Sequence, residues 1–172
     1  MWSFHFMLKS IVAILLVLGG AVAVIALLGS RLPVKHTATR TAAFRQTPQQ
    51  VWDVIAGPPT WRPEIQKFEI LPSDDGKRKW IEYGSHGQKI TYEAVESVSP
   101  QKLITCIADP HLPFGGSWTY EIAPASDGST LTITENGEVY NPTFRFVSRY
   151  VQGYTATIDA YLKALHSKLD AS

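Results

Sequence analysis

Residues 11–28 (IVAILLVLGGAVAVIALL) carry no charge, no proline and no strongly polar side chain. This run constrains the chain more than any other feature, because a helix that is apolar on every side has to be covered by lipid or protein. Wound as a helix it is about 27 Å long, close to the hydrocarbon thickness of a bilayer. Met7 and Leu8 lengthen it, so the lipid-facing segment is read over residues 7–29. The chain is thus expected to divide into an N-terminal single-pass transmembrane anchor, 1–30, and a globular domain, 31–172, that works beside a membrane.

A second reading of the same run is a secretory signal. Lys9 ends its basic region, residues 11–20 form its apolar core, and Ala21-Val22-Ala23 supplies the small residues of a cleavage site, with export after the cut. The apolar stretch continues past that cut through Val24 and Leu28, which favours the uncleaved anchor. Arg31, Lys35, Arg40 and Arg45 follow the run, while only Lys9 and the amino terminus precede it, so the charge rule leans toward a cytoplasmic globular domain. Gly19 and Ala23 form a small-xxx-small pair that either supports helix pairing or merely fills the helix.

The globular part is one domain in size. It holds fifteen basic and fifteen acidic residues, with no run of like charge longer than Lys77-Arg78-Lys79. A balanced surface without a basic stripe disfavours nucleic acid as a partner. The lone Cys106 excludes an internal disulfide and sits in an apolar strand pattern, where a buried inert thiol is the simple reading. The five histidines are scattered without metal-ligand spacing, and no cofactor motif is present.

Alternation and turn residues set the order of elements. Residues 36–45 read as a strand. Thr47-Pro48 opens a helix carrying Val51, Trp52 and Ile55 at helical spacing, and Gly57-Pro58-Pro59 ends it. A second short helix is predicted over 60–66, with Thr60 as cap and Glu64 in its first turns. Six strands follow, over 67–71, 77–83, 88–98, 102–108, 117–123 and 129–140. Short turns, among them Ser73-Asp74-Asp75-Gly76 and Ser126-Asp127-Gly128, imply an antiparallel meander. Asn141 caps a last helix with Pro142 at its first position. Phe146, Tyr150, Tyr154, Ile158, Tyr161, Leu165 and Leu169 then step by three or four residues, predicting one long amphipathic helix. The class is α+β. A curved seven-stranded sheet must cover its apolar face, and the C-terminal helix is the one large apolar stripe left to do so. A bent sheet against a straight helix leaves a cavity, closed at one end by the two short helices.

This order resembles the helix-grip fold of the START and polyketide-cyclase superfamily (SRPBCC). Phe44-Arg45-Gln46-Thr47-Pro48-Gln49-Gln50-Val51-Trp52 resembles the family's passage from first strand to first helix. Trp61-Arg62-Pro63-Glu64-Ile65 resembles its second short helix, and residues 131–139 (LTITENGEV) with the closing helix resemble its last strand and lid. The resemblance covers residues 36–169. It implies the helix-grip fold and one of several activities, since the family includes lipid carriers, ligand receptors, cyclases, hydroxylase subunits and chaperone activators.

Period-two alternation places Leu131, Ile133, Glu135, Gly137 and Val139 on one face of the last strand. Trp118, Tyr120 and Ile122 share a face of the strand before it, and Ile90, Tyr92 and Ala94 a face two strands earlier. The expected ligand cavity is therefore lined by Tyr92, Trp118, Tyr120, Ile133, Glu135, Tyr150, Tyr154 and Ile158. Glu135 is the odd member. It is either a carboxyl with a raised pKa, able to act as general acid or base, or a rim carboxylate near water. The tyrosine hydroxyls either anchor a polar ligand group or reach the rim of a packed core. The loop 109–116 carries Leu112 and Phe114 between two prolines and two glycines, as a gate to the cavity or a plug at the domain end. His111 in this loop reads as solvated. His36 and Arg40 share a strand face with Ala42 and Phe44, either at a ligand headgroup or at the membrane-proximal edge.

The expected activity is membrane-anchored binding, with possible transport, of a hydrophobic small molecule or lipid without a cofactor. One alternative is a polyketide cyclase/dehydratase-like or hydrolase-type enzyme using Glu135 and tyrosine hydroxyls, although no nucleophile–base pair supports it. Another is a protein-interaction module acting on a membrane partner, with a filled interior. The interior of the fold separates the three.

Overall fold

In the computed structural model, which describes residues 2–73 and 76–171, the chain divides into two compact units. One comprises residues 1–34 and 139–153, the other residues 35–138 and 154–172. Of the predicted turn at 73–76, Asp74 and Asp75 lie outside the described residues.

The first unit is built on helix α1, Trp2–Ser30. Residues 9–30 are long and apolar enough to cross a membrane, and an 18-residue stretch within them has a mean hydropathy of 3.1 and no residue buried in protein.

The second unit begins with strand β1, Lys35–Phe44, and helix α2, Pro48–Ile55. The Thr47 side chain accepts a hydrogen bond from the Gln50 backbone N–H, and the Gln50 side chain returns one from the Thr47 N–H. This capping box, with Pro48 in the first turn, explains why the helix starts there. Val51 and Trp52 point inward and are buried. A single 3-10 turn, Pro59–Trp61, follows. The predicted second helix over 60–66 is reduced to this turn. Pro58, not Thr60, precedes it, and Pro63 and the strand beginning at Ile65 end it before a second turn can form. The Trp61 indole donates to the Val54 carbonyl at 3.3 Å and ties the turn back to α2.

The strands are β2 Ile65–Leu71, β3 Lys79–Gly84, β4 Lys89–Val98, β5 Lys102–Ile107, β6 Phe114–Ala125 and β7 Gly128–Val139. With β1 they form one seven-stranded sheet in the order β1-β7-β6-β5-β4-β3-β2, and the paired strands described by register are antiparallel. The helix-grip architecture expected from the sequence is therefore observed. Its outer face at β1/β7 carries cross-strand polar pairs: Thr37 with Asn136, Thr39 with Thr134 and Thr41 with Thr132, at 2.9–3.2 Å. The alternate residues face inward, which fixes the register because a slip of one residue would put this polar row in the core.

The C-terminal segment differs from the single helix predicted over 142–169. It forms α3, Pro142–Val147, then a π-helical turn, Ser148–Gln152, and then α4, Ala156–Asp170. Gly153 stands between them at φ +80° and ψ 145°, a conformation open to glycine but strained for other residues. It therefore ends the first piece, and the second starts anew after it. Phe146 and Tyr150 belong to the first unit and are not on the apolar stripe of α4. That stripe is Ile158, Tyr161, Leu162, Leu165 and Leu169, all buried. They join Ala38, Phe44, Leu103, Tyr120, Ile122, Leu131 and Ile133 in the core.

The capping box yields a direct test. Thr47→Ala removes one cap acceptor and is expected to lower stability by about 1 kcal/mol, read as a fall in urea midpoint at unchanged slope.

Candidate functional site

Strand register sets what lies beneath α4. Leu103 pairs with Tyr120, Thr105 with Trp118, Tyr92 with Ile107, and Trp80 with Tyr92. These side chains share the inner face with Leu131, Ile133 and Glu135 of β7. Tyr161 descends from α4 into this row. Its ring meets Trp61 at 5.2 Å, Trp118 at 5.6 Å and Tyr120 at 5.7 Å, the first two edge-on. Burial pushes both the Tyr120 and Tyr161 hydroxyls well above the ordinary tyrosine range, and the two hydroxyls are hydrogen-bonded to each other. Burial raises Tyr92 in the same way.

Two charged side chains enter this apolar and aromatic interior. Arg62 follows the 3-10 turn, and Glu82 stands on the inner face of β3. They form a hydrogen-bonded ion pair, with 14% and 9% of their side chains exposed. Glu82 also accepts from the Trp80 indole at 3.0 Å. The Arg62 guanidinium lies 5.6 Å above the Tyr161 ring. Burial works against its charge, but Glu82, Tyr161 and Tyr120 together outweigh it and raise the Arg62 pKa. Its Nε is buried and has no hydrogen-bond partner. A guanidinium so placed offers an inward-facing donor to an acceptor that the protein itself does not provide. Neither residue stands out in the sequence as a site residue. The Trp-Arg-Pro motif was legible, but its partner twenty positions later is brought opposite only by the sheet.

A second polar group lies where β1 and β7 meet the start of α4. Glu135 accepts from the Thr157 hydroxyl at 3.1 Å, and His36 Nε2 lies 3.7 Å from its other oxygen. The His36 ring stacks on Tyr154 at 4.1 Å. Gly137 makes room for it, because a Cβ there would strike the imidazole. Burial raises the Glu135 pKa above the ordinary 4.5, and hydrogen bonds from Thr157 and Trp118 and the facing His36 oppose that shift without cancelling it. Nearby, Arg40 donates to Asp159 and to Thr155, both at 2.8 Å. That contact holds the Asp159 carboxyl below its usual value. Thr155 makes no side-chain capping bond to α4. The first turn of α4 is therefore held to the sheet by half-exposed polar clasps, whereas its later turns are held by buried apolar packing.

The expected lining residues separate accordingly. Tyr120, Ile133 and Ile158 are buried core members, and Tyr92, Trp118, Glu135 and Tyr154 are half-buried in the same unit. Tyr150 is 63% exposed, belongs to the other unit and packs on Phe146 at 5.0 Å, because the break at Gly153 takes it off α4. Leu112 is half-buried in the loop after β5, whereas Phe114 begins β6 and is a strand residue rather than part of a loop. In that loop the His111 N–H donates to Asp109 at 3.0 Å. An open depression of about 460 Å³ is bounded by Ala43, Phe44, Arg45, Gln46 and, on α4, His166 and Asp170, and another runs along α1. Beneath α4 lie Tyr120, Trp118 and Ile133 from the sheet and Tyr161 from the helix. Among the described residues no group of three or more His, Cys, Asp or Glu is placed to hold a metal ion.

Two outcomes test this interior. Arg62→Met leaves Glu82 buried without its cation and is expected to cost about 3 kcal/mol or more, whereas Arg62→Met with Glu82→Leu should recover most of that loss, as read by urea unfolding. The folded Glu135 carboxyl holds its proton to higher pH than the unfolded chain does. Stability from the neutral form is therefore complete below 4.5 and is lost as pH rises through the folded value. The parent is expected to lose stability relative to Glu135→Gln as pH rises from there toward neutrality, and matched urea midpoints across that range would show it.

Residues 35–170 match the family described as polyketide cyclase / dehydrase and lipid transport. No curated protein matches the sequence. Among solved structures, a START superfamily protein from Mycobacterium smegmatis is 18% identical with a TM-score of 0.61, covering 79% of this chain and 98% of that one. Norcoclaurine synthase from Thalictrum flavum is 14% identical with a TM-score of 0.59, covering 78% and 86%. The di-domain ARO/CYC StfQ of the steffimycin biosynthetic pathway is 11% identical with a TM-score of 0.63, covering 80% of this chain and 52% of that one. At these identities the structures speak to the fold, while the family match spans most of the chain. The chain therefore belongs to the polyketide cyclase/dehydrase and lipid transport family, and it has the START-like helix-grip fold.

Proposed function

We propose that this chain is held in a membrane by α1 and binds a hydrophobic small molecule between its sheet and α4. The observation that carries the reading is the Arg62–Glu82 pair, set in an aromatic interior with the Arg62 Nε unpartnered. A buried ion pair costs desolvation that well-packed apolar residues would avoid, so its presence fits a polar anchor for a mostly apolar ligand. Each ligand methylene enclosed there contributes about 0.8 kcal/mol. The family description supports the same class of ligand.

Tyr161 of α4 meets Trp118 and Tyr120 of the sheet across this interior, so a ligand enters by α4 parting from the sheet. The clasped end is where that is cheapest. Gly153 precedes it at φ +80°, and Arg40 holds it through half-exposed polar contacts. The more buried Glu135 and His36 hold it by a hydrogen bond from Thr157 and by stacking on Tyr154. The apolar stripe from Tyr161 to Leu169 would stay in place. A tether in the bilayer raises the local concentration of membrane-derived ligand at this mouth.

A second reading, acid–base chemistry of the cyclase or dehydratase type, has one observation in its favour. The carboxyl of Glu135, raised by burial, faces His36, and a carboxyl so tuned holds its proton to higher pH than an ordinary glutamate, as a general acid requires.

Native mass spectrometry of the full chain, released from membranes in mild detergent, tests the main reading. The parent should carry a copurified apolar molecule, and the Arg62→Met, Glu82→Leu double variant should lose it while staying folded. Repeated absence of any adduct on the parent, or equal retention by the double variant, would refute the ligand site. Loss of turnover in Glu135→Gln with retained adduct would favour the enzymatic reading.

A further inference from the structure

The first unit contains more than a spanning helix. The segment 139–153 returns to the C-terminal end of α1. A Cβ on buried Gly29 would coincide with the Pro142 carbonyl and touch Phe146, so α3 begins directly on the last turn of α1. Arg145 donates to the Leu32 carbonyl at 2.8 Å and to the Tyr140 carbonyl at 3.4 Å, and the Val139 N–H donates to the Val34 carbonyl at 2.9 Å. These bonds fix the segment at the point where the apolar span stops and Arg31 begins.

The surface this segment presents is unlike that of a soluble domain. Phe144 is 50% exposed, Tyr150 63% and Val151 71%, and Tyr140 is exposed beside them. Within 139–153 there are four aromatic residues, two arginines and no acid. The residues 1–34 that share the unit also hold no acid, so every carboxylate side chain of the protein lies in the other unit. Exposed aromatic and apolar side chains next to a spanning helix, in a stretch of sequence whose charged residues are all basic, match the headgroup layer of an anionic bilayer.

We propose that α3 and the π-helical turn lie in the membrane interface beside the exit of α1, with Phe144, Tyr150 and Val151 among lipid chains and Arg31, Arg145 and Arg149 at the phosphate level. This inference rests on the reading of α1 as a membrane span. The occupant of the surface is lipid, because the patch is continuous with a helix that itself needs lipid and its charge complements anionic headgroups. The consequence for the ligand site is covalent: Gly153, the residue at which the chain leaves the interface, directly precedes the clasped end of α4.

The test uses the full chain in a Cys106→Ser background, with single cysteines introduced as Leu16→Cys, Val151→Cys or Val98→Cys. Each variant is labelled with an environment-sensitive fluorophore and reconstituted into vesicles of phosphatidylcholine and phosphatidylglycerol. Leu16 reports the span, Val151 the proposed interface, and Val98 an exposed site on β4 of the other unit. Probes at 16 and 151 should be quenched by nitroxide-bearing lipid and shielded from aqueous iodide, with the probe at 98 behaving oppositely. The probe at 151 should become more accessible to iodide in vesicles of phosphatidylcholine alone. Iodide quenching at 151 equal to that at 98, with the probe at 16 still in lipid, would overturn the interfacial segment while leaving the anchor intact. Iodide access at 16 as well would overturn the anchor, and this inference with it.

Discussion

The globular unit depends on one closure: the apolar stripe of α4 against the concave face of the sheet. Tyr161 is at its centre. It meets an aromatic residue from the 3-10 turn and two from β6, and its ring lies under the Arg62 guanidinium. Without that helix Leu131, Ile133 and Tyr120 would face water, and an antiparallel sheet with one bare apolar face is not stable by itself. Everything else in the unit is arranged around this contact. The capping box starts α2 at the right place, the threonine pairs hold β1 to β7, and the register turns one face polar and the other apolar.

The closure is uneven along α4, and that unevenness matters for function. The distal turns are held by buried leucines, whose separation would expose a large apolar area. The proximal turn is held by the half-exposed Arg40–Asp159 pair, of a kind that contributes little net stability, and by the contacts of Glu135 with Thr157 and of His36 with Tyr154. A helix tightly fixed at one end and lightly fixed at the other is suited to admit a molecule without unfolding. The ion pair of Arg62 and Glu82 lies inside, where, in the proposed reading, a polar ligand group satisfies the open Arg62 Nε donor.

Much of this was legible in the chain because the relevant signals are local. The apolar run near the N-terminus, the Thr47-Pro48 start, the Asp127-Gly128 turn and the strict alternation of β7 each depend on a few neighbouring residues. Glu135 could be singled out because a carboxylate interrupts an otherwise apolar face. Other features were misread for equally physical reasons. The stepping of aromatic residues from Phe146 to Leu169 continues through Gly153 as though one helix ran throughout, but a positive φ there cannot belong to an α-helix. Tyr150 left the expected site with that break. The helix expected over 60–66 was too short to outweigh Pro63 and the strand that follows.

The amino-acid sequence by itself determined the element order, the fold class and the residues of each apolar face, since periodicity and turn chemistry act over a few positions. Only the tertiary structure decided which charges meet. Arg62 and Glu82, His36 and Glu135, and Arg40 and Asp159 are separated by 20 to 119 positions, and nothing in their neighbours marks them as partners. Strand register and the angle at which α4 descends bring them together. A long-range pairing of this kind is a property of the packed sheet and helix, not of any segment of the chain.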